Sequence, residues 1–142
     1  MNRVPAMEPS VARSFTRMVA LLMLVFGALY GLTTIIGGAA RWGSPAYEVA
    51  LQVPGAPQSW GAVLFGASVV GLLGFAVGAL PVVMVGFALC AGWSTCFALC
   101  IGVVAARNEA VGWGGVVTWG FLALMYAACT AAGRDRFHAP AV

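Results

Sequence analysis

The side chains able to do chemistry are few, and their placement is telling. Four cysteines, Cys90, Cys96, Cys100 and Cys129, stand inside long apolar stretches. Cys96 and Cys100 are spaced to share one helix face. A quinone-linked thiol oxidase of similar helix number would need a Cys-x-x-Cys pair near the membrane surface and loop cysteines for disulfide exchange. The chain has neither. Its single histidine, His138, lies in the tail, so a zinc site lacks ligands. The cysteines therefore read as small apolar packing residues. The acidic residues, Glu8, Glu48, Glu109 and Asp135, all fall outside the apolar stretches. Ionisable groups inside a membrane mark ion and proton paths. Without one, proton-coupled transport has no carrier group. No phosphate loop, nucleophile elbow or dinucleotide fingerprint occurs. The expectation is a non-enzymatic protein with no cofactor and no metal.

What must position these residues is a set of membrane-spanning helices. The chain has 142 residues, 62% of them hydrophobic and 8% charged, against about 25% charged in a soluble domain. From Gly61 to Ala106 there is no Asp, Glu, Lys, Arg or His. One span needs ~20 apolar residues, so this run holds two, with Pro81 near its middle. The expected fold is an all-α integral membrane protein of one domain, a compact bundle of four transmembrane helices. The spans fall at about 18–40, 61–79, 82–106 and 113–132. In lipid the backbone must satisfy its own hydrogen bonds, which requires helices here because nothing alternates as a β-barrel strand would. The apolar part of the first 40 residues exceeds the 7–15 residues usual for a signal peptide, so it is expected to be retained as a span.

All seven basic residues are Arg. Arg3, Arg13 and Arg17 precede span one, and Arg134 and Arg136 follow span four. Only Arg41 and Arg107 lie on the other side. That bias places both termini in the cytoplasm of a bacterial inner membrane. The tail from Arg134 to His138 reads as an anchor to anionic lipid. A net charge of +3 is too small and dispersed for nucleic-acid binding.

The outer loop, 41–59, begins a short interfacial helix at Ser44 and Pro45 and ends it at Pro54. Ser59 is expected to cap span two. Trp42, Tyr47 and Trp60 sit at the aromatic-belt position and are the candidates for docking an outer partner. Gly27 and Gly31 form a G-x-x-x-G in span one, Gly74 and Gly78 another in span two beside Gly71. Small residues four apart let helices approach closely, either within one copy or between copies. Tyr30, Ser68, Ser94, Thr95 and Thr118 fall within a few Å of ~20 Å depth, a mid-membrane polar layer that is either interhelical glue or a wet path between copies.

The stretch Arg41 to Gly61, with its Pro45/Tyr47 segment, its Val53-Pro54-Gly55-Ala56-Pro57 turn and Trp60-Gly61, resembles the first outer loop of small four-span membrane proteins of actinobacteria and actinobacteriophages. Some phage members are holin-like. The resemblance implies a membrane-permeabilising lysis protein that acts by self-association, and it transfers no catalytic residue. The residues alone leave two alternatives open, an accessory or assembly subunit of a larger membrane complex and a small-solute channel or transporter. The expected partners are the lipid bilayer and either further copies or another membrane protein.

Overall fold

Every long apolar stretch is a helix. The computed structural model describes the backbone of residues 9–138 and the side chains of residues 14–134 except Arg41. Helix α1 spans Pro9–Gly37, α2 Glu48–Leu51, α3 Gln58–Ala76, α4 Leu80–Arg107 and α5 Gly114–His138. Two 3-10 turns, Gly38–Trp42 and Pro45–Tyr47, lead from α1 into α2. No strand occurs among the described residues. Four helices, α1, α3, α4 and α5, are long and apolar enough to cross a membrane. Residues 1–8 of the first tail, and the side chains of Arg13, Arg41, Asp135, Arg136 and His138, lie outside the described residues.

The helix ends have local causes. α1 stops where Gly38 takes φ +51°, a left-handed conformation that glycine adopts without a Cβ clash. α3 stops at Gly78, φ +70°. Ala79 N–H donates to the Gly74 carbonyl at 2.9 Å and Gly78 N–H to the Phe75 carbonyl at 3.3 Å, the pair of bonds that defines a Schellman ending. α4 then begins at once, with Pro81 in its first turn, where a missing N–H breaks no helical bond. This glycine explains why the chain can reverse between two spans with no polar loop.

Helices adjacent in the chain pack side by side, α1 on α3, α3 on α4 and α4 on α5. The inner face of α4 carries Val83, Phe87, Cys90, Ser94, Phe97, Ile101 and Val104, a repeat of alternating three and four residues, and all of them are buried. α4 is thus the central helix. The α1 and α3 seam is made by glycine. A Cβ on Gly31 would lie 2.7 Å from the Gly61 carbonyl and the Phe65 nitrogen, and one on Gly61 2.7 Å from the Gly31 carbonyl. The α3 and α4 seam repeats this, with Gly86 against Gly71. α1 and α5 are bridged instead by a large side chain: Tyr126, 1% exposed, donates its hydroxyl to the Met23 carbonyl at 2.8 Å. The outward faces carry Leu29, Ile36, Val77, Leu99, Val117 and Leu124. Exposed apolar residues on every side are a liability in water and the normal surface of a protein in lipid.

Candidate functional site

The interior holds a cluster of aromatic rings built around Phe97, which is fully buried. Trp93 lies one turn before it on α4 and stacks on it at 4.9 Å between centroids. Trp119 of α5 meets Phe97 edge-on at 5.1 Å. Tyr30 of α1 meets Trp119 edge-on at 4.8 Å. From the outer side, Trp42, Tyr47 and Trp60 close on Phe97 at 5.2, 5.9 and 5.4 Å. Offset and edge-on rings each add about 0.5–1.5 kcal/mol beyond their buried area. Two of the indoles also find acceptors: Trp60 Nε1 donates to the Ala50 carbonyl and Trp93 Nε1 to the Trp60 carbonyl, both at 2.8 Å. The first bond ties α2 down onto the bundle.

This geometry reassigns the outer-loop docking candidates. Trp42 is 3% exposed, stacked on Tyr47 at 5.0 Å and buried against Phe97. The loop folds over the bundle end, so Trp42 is buried and Tyr47 and Trp60 are half-buried, each with its ring against Phe97. The short outer helix exists, entered by a 3-10 turn whose Ser44 Oγ accepts the Ala46 N–H at 3.4 Å. Ser59 does not cap α3: the helix begins one residue earlier, at Gln58, and Ser59 Oγ is buried with no partner among the described residues.

The mid-membrane hydroxyls do not form one layer. Ser68 is buried and pairs with the Cys90 thiol at 3.5 Å, across α3 and α4. Ser94 is buried with no hydrogen-bond partner among the described residues. Thr95 is on the outside and bonds its own helix at the Ala91 carbonyl, and Thr118 is also on the outside. Tyr30 belongs to the aromatic cluster. The equal depths read along the helices hold no information about rotation, and rotation sends these groups to different faces. A hydroxyl that depth counting missed, Thr34, is 2% exposed and bonds the Tyr30 carbonyl at 2.9 Å.

Gly27, Gly31, Gly71 and Gly74 all lie in contacts within one copy. A Cβ on Gly27 would collide with Ser68 Oγ and come within 2.9 Å of Tyr126 Oη, and one on Gly74 would lie 2.6 Å from the Val83 nitrogen. Gly78 differs from expectation: it ends α3, and the space where its Cβ would go is open. Among the described residues, no group of His, Cys, Asp and Glu could hold a metal ion. Cys90 is buried, Cys96 is on the outside, and all four thiols are free.

No protein-family model, curated protein or solved structure matches the chain.

The surface also carries an unfilled groove. Between α4 and α5 runs an apolar groove with a volume near 810 Å³, open to the outside of the bundle. Small residues make its floor, among them Gly92, Ala98 and Gly102 of α4 and Gly120 and Ala123 of α5, and Leu99 and Leu124 stand at its edges. A Cβ on Gly92 or on Gly120 would touch nothing. Close packing needs small residues on the seams of α3, but no helix of this chain occupies the groove that these glycines open.

Proposed function

We propose that this chain is a small, non-enzymatic, multi-pass protein of a bacterial inner membrane, both termini cytoplasmic, that works by lateral assembly. In this reading it is an accessory or assembly subunit, and a transmembrane helix of a partner membrane protein lies in the groove between α4 and α5. The observation that carries the reading is that groove, a helix-facing furrow floored by glycine and alanine, while the other Gly seams are taken up inside the copy. Small residues allow close backbone approach, which is what drives helix association in lipid. The aromatic cluster fills the interior, so a conduction path through a single copy is disfavoured.

The test fills the groove. Gly120→Leu places a side chain in open space, so the fold is expected to survive. Wild-type protein extracted from native membranes in lipid particles should carry a second membrane protein, and Gly120→Leu should lose it at unchanged thermal midpoint. Wild-type particles holding one bare copy would sink the reading.

A second reading is the holin-like one, in which further copies fill the groove. It is favoured by the exposed side chains at the furrow: Leu99 and Leu124, which line it, are 64% and 71% exposed. Ridge and groove on one face suit a self-complementary contact. Here induced expression should collapse the membrane potential abruptly, read with a potential-sensitive dye, and unchanged potential and growth at high expression would exclude it.

A further inference from the structure

A second cavity opens at the opposite end of the molecule from the aromatic cap. Its volume is near 320 Å³, and it lies between α1, the turn from α3 to α4, and α5. Its cause is the weak α1 and α5 seam. Above the Tyr126 bridge the gap is filled by rings; below it, the small residues Ala20 of α1 and Cys129 and Ala132 of α5 line a space they do not fill, while Gly133 packs against Met84 of α4. Phe75, Val83 and Phe87 give it apolar walls. Thr16 and Arg17 stand at its rim. Arg17 is the residue immediately before the first apolar stretch, at the level where a membrane changes from hydrocarbon to headgroups. The carboxylates whose side chains are described, Glu48 and Glu109, belong to the other end of the bundle.

We propose that this cavity is a binding site for an anionic phospholipid. One acyl chain enters between α1 and α5, and the phosphate sits at the rim against Arg17. The argument joins two features of different kinds, an apolar cavity open at headgroup level and a cationic rim, and basic pockets between transmembrane helices are the places where anionic headgroups bind. The site is separate from the groove between α4 and α5, so it stands or falls independently of the assembly reading. The bound chain would supply the packing that α1 and α5 do not give each other, making the lipid part of the fold.

The experiment uses the full chain, purified and delipidated in a non-ionic detergent. Phosphatidylglycerol, phosphatidylcholine of the same chain length, and inorganic phosphate are added separately, and thermal midpoint and lipid adducts by native mass spectrometry are read. Phosphatidylglycerol should raise the midpoint saturably and give a one-lipid adduct; the other two should not. Arg17→Gln should cut the preference for phosphatidylglycerol about fivefold, the effect of ~1 kcal/mol from one Arg at a lipid surface. Cys129→Leu, which narrows the cavity, should reduce the adduct while leaving the Arg17 charge in place. Equal binding of the zwitterionic lipid, stabilisation by phosphate alone, or an unaltered preference in Arg17→Gln would each overturn the proposal. If Cys129→Leu fails to fold, the Arg17→Gln comparison decides alone.

Discussion

Replacing Gly86 by Ala adds one methyl group where α3 and α4 touch backbone to backbone. Its Cβ would lie 2.5 Å from both Cα and N of Gly71 and 3.0 Å from the Ala67 carbonyl. Ordinary carbon contacts are ~3.5–4.0 Å, so the two helices must separate by about 1 Å. The opposing atoms are main chain, so no side chain can swing aside. Over-packing of this kind costs about 1–3 kcal/mol. Against it stands the better helix propensity of alanine, worth at most about 1 kcal/mol. The expected net loss is about 1–2 kcal/mol, roughly a fivefold to thirtyfold change in the folding equilibrium. Gly66→Ala is the control. It lies on α3 with nothing within 4 Å of its Cβ, so it should be neutral or slightly stabilising. The assay is reversible unfolding in mixed micelles of rising SDS fraction, followed by tryptophan fluorescence, since Trp93 and Trp119 are in the core. Gly86→Ala as stable as Gly66→Ala would refute the seam. A loss that varies with protein concentration would show that these glycines join copies rather than helices of one copy.

Three further outcomes are expected. Trp60→Phe removes the donor to the Ala50 carbonyl, at a cost of about 0.5–1.5 kcal/mol, and should speed hydrogen exchange in residues 44–52 with little change in α5; uniform protection would refute the tie. Ser94→Ala deletes a buried hydroxyl with no partner among the described residues, so its unfolding midpoint should hold or rise, because such a group brings desolvation cost without a bond; a fall beyond about 1 kcal/mol would reveal a hidden acceptor. For topology, Gln52→Cys should react with an impermeant thiol reagent in intact cells and Arg134→Cys should not, in a chain whose four native cysteines are replaced; the reverse pattern would invert the orientation.

Much of the architecture was legible before any coordinates. Mean hydropathy and the absence of charge mark the spans, because lipid demands long apolar helices whatever their neighbours. The short turn at Pro81 and the Ser44-Pro45 start are local signals with local causes, whereas the stop expected at Gly133-Arg134 is passed, α5 continuing to His138. Gly78 shows the limit of spacing. It completes a G-x-x-x-G with Gly74, yet it sits one step past the helix end, where its role is conformational. Trp42 and Trp60 show a second limit. Their position in the loop suits an aromatic belt, and only the fold over Phe97 turns them inward.

By itself, then, the sequence determined that four helices are long and apolar enough to cross a membrane and that the stretch from Gly61 to Ala106 holds no Asp, Glu, Lys, Arg or His, since each follows from transfer energies that act residue by residue. The tertiary structure alone decided which face of each helix looks inward. In a soluble helix polarity labels the outer face, but here both faces are apolar, and only side-chain size against a particular neighbour distinguishes them. That is why the Gly27, Gly31, Gly71 and Gly74 seams close within one copy, why the hydroxyls scatter, and why the open groove between α4 and α5 and the cavity beside Arg17 emerge only once the helices are packed.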